Sequence, residues 1–344
     1  MKILEIATEA PPYKSGISRL VGILADGLKA KGHELTVLTP KRRFREFKFS
    51  LIPLFRYENF DIIHIWGPTP FLSDGLLVTN KGLNLVYSHI ADISWKSEVL
   101  CAVYRKFHDS LAKNASTVVT LSSDYAASLA RRGLRKVKVI RPPFRFSAMN
   151  RSINELIKLK NSVFTVLYVG QLRPFKAVDV LIRVAAEMRD VNFIVNGHGY
   201  LRAQLEQLAH DLTCDNIRFI DTNRDEDLIR LYEASHVICL PSRNTTEAYG
   251  LVLLEGAMFG CVPVASNLLG VRENISMLRG FAISPNDPNS LMKILRVLSN
   301  NYERWELRAS ISHHAACEYA HRYSSHYYVK EHEEVFKSVF SKSD

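Results

Sequence analysis

The chain has 344 residues, 47% of them hydrophobic, with 45 Lys and Arg against 35 Asp and Glu. That length exceeds the usual single domain, and with no low-complexity tract it can bury two ordinary cores. Five cysteines (Cys101, Cys214, Cys239, Cys261, Cys317) are odd in number and scattered without a Cys-x-x-Cys, which fits reduced, packed thiols in a cytoplasmic protein better than a disulfide framework or a zinc site. No window approaches the roughly 18 uninterrupted apolar residues of a membrane-spanning helix. The net charge of +10 is uneven: residues 1–150 carry 23 basic and 12 acidic residues, +11, leaving 22 and 23, or −1, for the rest. A basic half calls for an anionic partner, such as a phosphorylated acceptor, an anionic membrane surface or a nucleic acid.

The start, Met1–Ala7, reads as a strand and is too short and acidic for a signal peptide. Ser18–Lys31 reads as an amphipathic helix, with Leu20, Ile23, Leu24 and Leu28 on one face. Strands are predicted at Glu34–Leu38, Asp61–Trp66, Asn84–Ser88, Thr117–Leu121 and Val137–Ile140. Arg141-Pro142-Pro143 breaks the rhythm, and the polar stretch to about Asn161 is the linker candidate. The alternation then restarts with strands at Thr165–Val169, Asn192–Asn196, Ile217–Ile220, Val237–Leu240 and Val262–Ala265. Helices are expected between them at Asp179–Met188, Tyr200–Leu212, Asp225–Ser235 and Gly250–Phe259, with a helical tail from Ser290. Two parallel doubly wound halves are the natural reading.

Chemistry concentrates in Glu247-Ala248-Tyr249-Gly250-Leu251-Val252-Leu253-Leu254-Glu255, followed by Cys261-Val262-Pro263-Val264. A helix starting near Gly250, just beyond a strand, aims unpaired amides where phosphates bind in open α/β folds. Glu255 sits among apolar neighbours, a costly place for a carboxylate unless a ligand or partner pairs it. The first turn, Thr8–Ser18, lacks G-x-G-x-x-G, which weakens an oxidoreductase reading. Asp225-Glu226-Asp227 opens a helix, where acids are favoured by the dipole, and is read as a helix start rather than a metal site.

The pattern Glu-x7-Glu followed by Gly260-Cys261-Val262-Pro263-Val264 resembles the signature of family 4 glycosyltransferases, retaining enzymes with the GT-B fold. The resemblance implies two Rossmann-like doubly wound parallel-sheet domains with an interdomain cleft. Residues 1–155 would bind the acceptor, residues 156–320 the nucleotide sugar, and a C-terminal helix in 321–344 would pack back on the first domain. It assigns Glu247 to the donor sugar hydroxyls and Glu255 to the ribose. It gives the diphosphate to Lys176, with Arg173 supplying charge where the family's Arg position holds Gln171. Gly16, Gly197 and Gly199 would allow close backbone approach to the donor, beside the segment Ala248 to Val252. His89, at the end of a strand, would bond the donor sugar and help set the acceptor position. Ser15 and Ala177 replace glycines of the family pattern.

The implied function is metal-independent, retaining transfer from a nucleotide sugar, UDP- or GDP-linked, to a glycan or lipid-linked acceptor, with no other cofactor. A sugar-nucleotide epimerase or a catalytically silent binding protein on the same fold are the alternatives. The basic aromatic stretch Lys41–Arg56 suggests an anionic membrane surface, and no nucleic-acid motif accompanies it. The expected location is cytoplasmic, with peripheral contact at the membrane face where the acceptor is a lipid.

Overall fold

The computed structural model describes residues 1–13, 15–40, 42–44, 47–49, 57–70, 72–79, 83–94, 97–144, 146, 151–222 and 224–341. The chain divides into two compact units, Met1–Pro143 with Arg322–Asp344, and Phe144–His321. The division falls at Pro143–Phe144, ahead of the expected 155–156. Phe146 packs edge-on against Phe259 at 5.5 Å and Tyr232 at 6.5 Å, which ties this stretch to the second unit.

In the first unit the elements run β1 (Lys2–Ile6), α1 (Gly16–Ala30), β2 (Glu34–Leu38), β3 (Arg42–Phe44), β4 (Phe47–Phe49), β5 (Ile62–Gly67) and α2 (Leu72–Thr79). They continue β6 (Leu85–His89), α3 (Glu98–Ala112), β7 (Thr117–Thr120), α4 (Ser123–Arg131) and β8 (Val137–Val139). A six-stranded parallel sheet has the order β2-β1-β5-β6-β7-β8. The steps from β5 to β8 run one way across the sheet and the step from β1 to β2 runs the other. Right-handed crossovers therefore set α2, α3 and α4 on one face and α1 on the opposite face. Strands β3 and β4 form a separate antiparallel hairpin. They cover part of the basic aromatic stretch; Lys41, Arg45, Glu46 and residues 50–56 lie outside the described residues.

The second unit holds α5 (Ile153–Lys158), β9 (Thr165–Val169), α6 (Val178–Glu187), β10 (Asn192–Asn196), α7 (Arg202–Asp211), β11 (Ile217–Ile220), α8 (Asp225–Ala234), β12 (Val237–Leu240) and α9 (Leu251–Met258). It ends with β13 (Val262–Ser266), α10 (Val271–Met277), β14 (Phe281–Ile283), α11 (Pro288–Ser299) and α12 (Tyr302–Arg322). Helix α5 lies inside the expected linker, started by a capping box in which Ser152 and Glu155 bond each other's backbone amides. The sheet is parallel, ordered β11-β10-β9-β12-β13-β14, so the strand order reverses between β9 and β12. Strands β9, β12 and β13 are buried along their whole length, as a sheet covered on both faces requires. The last helix, α13 (Ser325–Phe340), belongs to the first unit and packs on α1, where Val329 fills the space a side chain on Gly27 would need. The architecture is GT-B: two Rossmann-like units, each a parallel six-stranded sheet with helices between the strands.

Candidate active site

In the second unit the loops leaving β9 and β12 meet where the strand order reverses, the position at which open α/β sheets bind ligands. Lys176 ends a 3-10 turn, Pro174–Lys176, in the first of these loops. Its Nζ donates to Glu247 Oε2 at 2.6 Å, and Ser242 Oγ donates to the same oxygen at 2.9 Å. Glu247 is buried, so this carboxylate is compensated by one cation and one hydroxyl.

Arg243 fixes the turn that carries Lys176. Its backbone N–H donates to Phe175 O at 2.7 Å, its Nη1 to Pro174 O at 2.6 Å and its Nε to Asn286 Oδ1 at 2.6 Å, and its Nη2 pairs with Asp179. After the turn Ala177 adopts φ 53°, ψ 40°. The family pattern has glycine at this position, and the left-handed backbone supplies the reason. Arg173 is exposed, and its guanidinium has no hydrogen bond or ion pair among the described residues.

Gly250 precedes α9 with φ 73°, ψ 48°, and no side-chain hydrogen bond caps that helix among the described residues. Its first-turn amides are thus unfilled by the protein's own side chains. Ala248, Leu251 and Val252 are half-buried around this terminus, and Tyr249 is buried with its O held by Asn274 Nδ2 and its OH 3.2 Å from Tyr319 OH. Glu255, one turn on, accepts from Tyr232 OH at 2.9 Å. Glu247 and Glu255 therefore have different partners.

Gly197 and Gly199 follow β10 and lie against the loop after β9. A Cβ on Gly197 would fall 1.9 Å from Gly170 O, and one on Gly199 2.4 Å from Leu172 O. Backbone bonds from Gly170 N to Asn196 O at 3.0 Å and from Leu172 N to His198 O at 2.8 Å lock the two loops together. This loop contact alone requires both glycines. Asp227 pairs with Arg224 at 2.7 Å and lies in the first turn of α8, as a helix start does.

In the first unit Gly16 opens α1 behind the cap of Ser15, whose Oγ accepts from Ser18 N at 3.1 Å. A Cβ on Gly16 would meet nothing within 4 Å, so nothing in the described packing demands glycine there. His89 ends β6 and is 1% exposed. Its Nε2 lies 3.2 Å from Asp92 Oδ1, an ion-pair distance without hydrogen-bond alignment, and its Nδ1 lies 3.5 Å from Tyr87 OH. Burial lowers the His89 pKa, against the pull of Asp92. Burial alone would raise the Asp92 carboxyl, but His89 and the Arg132 guanidinium hold it well below the usual carboxylate range. Arg132 bonds Asp92 at 2.9 Å and Asp109 through both oxygens. Sequence reasoning singled out His89 without this supporting chain, and it also passed over Ser242 and Arg243. Their signal was available: a polar pair one proline beyond a buried strand, at the sheet's carboxyl edge.

A separate chain runs from Ser88 Oγ to His64 Nε2 at 2.7 Å and from His64 Nδ1 to Glu5 Oε1 at 2.9 Å. It has the connectivity of an acyl-transfer triad, but none of the three is more than 1% exposed. It ties β1, β5 and β6 together as a core polar network.

Residues 151–316 match the family model of glycosyl transferases group 1. The chain is 27% identical over 266 residues to the O-antigen chain mannosyltransferase C of Escherichia coli, covering 74% of this chain and 71% of that protein. It is 27% identical over 264 residues to the D-rhamnosyltransferase WbpZ of Pseudomonas aeruginosa, covering 73% and 68%. Among solved structures, HepE from Anabaena in complex with UDP superposes with a TM-score of 0.74 at 18% identity, covering 98% of this chain and 100% of that one. The group 1 match fills nearly all of the second unit, and relatives named as sugar transferases align along about three quarters of the chain, so the chain is a glycosyltransferase.

Proposed function

We propose that the protein transfers a sugar, with retention and without a metal ion, from a UDP- or GDP-linked donor to a glycan or lipid-linked acceptor. The observation that carries this reading is the Lys176–Glu247 pair beside the uncapped start of α9. A departing nucleoside diphosphate develops negative charge, and preorganised cations and amides are what stabilise it. Lys176 and the first-turn amides of α9 supply such donors, and exposed Arg173 can swing in as a second cation. As the diphosphate takes up Lys176, Glu247 becomes available to accept from hydroxyls of the donor sugar. A donor phosphate oxygen takes the acceptor proton, and the acceptor attacks the face that the leaving group vacates, which retains configuration. Glu255, held by Tyr232, orients the ribose. Gly16 and His89 on the first unit serve the donor phosphate and the sugar. The mannosyl- and rhamnosyltransferase relatives and the UDP complex of HepE support a nucleotide-sugar donor and a glycan acceptor.

The test is a panel of UDP- and GDP-sugars screened by thermal shift, followed by transfer assays in excess EDTA. A ligand at about 100 times its dissociation constant adds roughly 2.7 kcal/mol, enough to identify the donor. Transfer is expected to persist in EDTA and to collapse in Glu247→Ala. Complete loss in EDTA, restored by magnesium or manganese, overturns the metal-independent mechanism.

A further inference from the structure

Helix α3 exposes its large apolar side chains, while Leu111 and Ala112 at its end join the core. Its solvent face carries Val99, Leu100, Val103 and Phe107, exposed by 72%, 58%, 61% and 53%. Its inner face carries His108, which bonds Asp74 at 2.7 Å and Tyr87 OH at 2.7 Å, and Asp109, which pairs with Arg132. A surface helix ordinarily does the reverse, and a run of large apolar side chains on one exposed face marks an interaction site. The four residues fall within about a third of a turn of one another on the helical wheel, so they form one stripe.

The charge around the stripe selects the partner. From residue 96 to 145 the chain has 11 Lys and Arg against three Asp and Glu. Lys106 flanks the stripe on α3 and is exposed, as are Lys113 at its end and Arg131, Arg135 and Lys136 around the end of α4, whereas Arg105 lies on the far side of the helix and pairs with Asp92 at 3.9 Å. The two helix ends adjoin, because Lys113 Nζ lies 3.3 Å from where a Cβ on Gly133 would sit. Apolar residues bordered by Lys and Arg are the design of a helix lying in a membrane interface. A second copy of this chain would set one basic surface against another, and so fits poorly. We propose that the outer face of α3 docks on an anionic lipid bilayer. Its residues are separate in sequence from the basic aromatic stretch Lys41–Arg56, and its binding is measured without donor or acceptor.

The experiment is co-sedimentation with vesicles of phosphatidylcholine alone or mixed with phosphatidylglycerol, at low and high salt. The chain is expected to pellet with the mixed vesicles, less so at high salt, and little with the neutral ones. Val99→Ser, Leu100→Ser, Val103→Ser and Phe107→Ser combined should lower the partition coefficient by about tenfold or more, since apolar burial and charge both contribute to interfacial binding. Leu159→Ser with Val163→Ser, exposed apolar residues of the second unit, should leave it unchanged. Should the fourfold variant melt differently from the parent, Val103→Asp, a single change at an exposed site, carries the test. Three outcomes overturn the proposal: a parent that stays in the supernatant, an α3 variant that pellets like the parent, or sedimentation velocity showing a parent dimer that the α3 variant abolishes. The last would make the stripe a contact between copies.

Discussion

Lys176 Nζ and Glu247 Oε2 lie 2.6 Å apart and join the loop after β9 to the loop after β12. These loops sit on either side of the reversal in strand order, so one ion pair closes the carboxyl edge of the sheet where a phosphate would arrive. The pair is largely shielded, with side-chain exposures of 16% and 9%. Either partner alone would be a poorly solvated charge, so keeping the two together compensates both.

Removing either partner should therefore cost activity. Glu247→Ala is expected to lower kcat by at least about tenfold, and Lys176→Ala by a similar or larger factor, since a charged hydrogen bond is worth on the order of 1.5–3 kcal/mol. Steady-state kinetics on both single variants and the double variant decide the matter. Because the residues contact each other, the double variant should lose less than the sum of the singles. Parent-like turnover in all three would remove the site from this edge of the sheet.

Glu255 should behave differently. Its carboxylate is bonded by Tyr232 OH at 2.9 Å and makes no described contact with Glu247. Glu255→Gln keeps the shape and an acceptor for Tyr232 but removes the charge a ribose hydroxyl would meet. Nucleotide affinity is expected to fall roughly tenfold or more, with kcat at saturating donor changed little, because the lost contact is made equally in the ground and transition states. Calorimetric titration with the nucleotide checks this, and an unchanged affinity would reassign Glu255 to the core.

The strands were legible because a doubly wound sheet demands continuous apolar runs: Val237–Leu240 and Thr165–Val169 stand as read. Helix α3 was not legible, because its large apolar residues face outward while His108 and Asp109 face inward, which scrambles the usual pattern. Strand β14 is only three residues long and carries no distinguishing run. At the site, the segment Glu247–Glu255 and Lys176 were readable as chemistry, but their contact spans 71 positions and exists only once the sheet brings the loops together. Gly197 and Gly199 were readable as a turn, whereas the reason for both lies in the carbonyls of Gly170 and Leu172.

Two buried histidines predict how stability responds to acid. Burial, followed by the neighbouring His64, lowers His332 to about 3, and burial with nearby Lys160 lowers His236 to about 4. Both values lie below the ordinary value of about 6.5, so the unfolded chain takes up these protons first as pH falls. The stability that the neutral rings allow is fully present above about pH 6.5 and is lost as pH falls towards the folded values. Between pH 7 and pH 5 each costs on the order of 2 kcal/mol. His332→Phe, which keeps an aromatic ring among Trp66, Tyr328 and Phe336, should lose less stability over that interval than the parent. Thermal or urea midpoints at the two pH values test this, and identical pH dependence would show that His332 does not carry the effect.

Arg243 offers the sharpest separation of positioning from chemistry. No hydrogen bond or ion pair joins it to Glu247 among the described residues, yet its guanidinium bonds Pro174 O, Asn286 Oδ1 and Asp179, and its amide bonds Phe175 O, so it holds the turn from which Lys176 projects. Lysine at this position keeps the charge but lacks the planar fork, and its three donors, gathered on one nitrogen, cannot reach all three acceptors. Arg243→Lys should loosen the turn and misplace Lys176, and a displacement of about 1 Å can cost on the order of 100-fold in rate. The expected result is a fall in kcat/KM for the donor approaching that of Lys176→Ala, while the melting temperature drops by only a few degrees, since the residue is half-exposed. Combining the two substitutions separates the roles. Once Lys176 is gone, Arg243→Lys should add little further loss. If it instead multiplies the defect, Arg243 acts on the substrate directly and is not a support for Lys176.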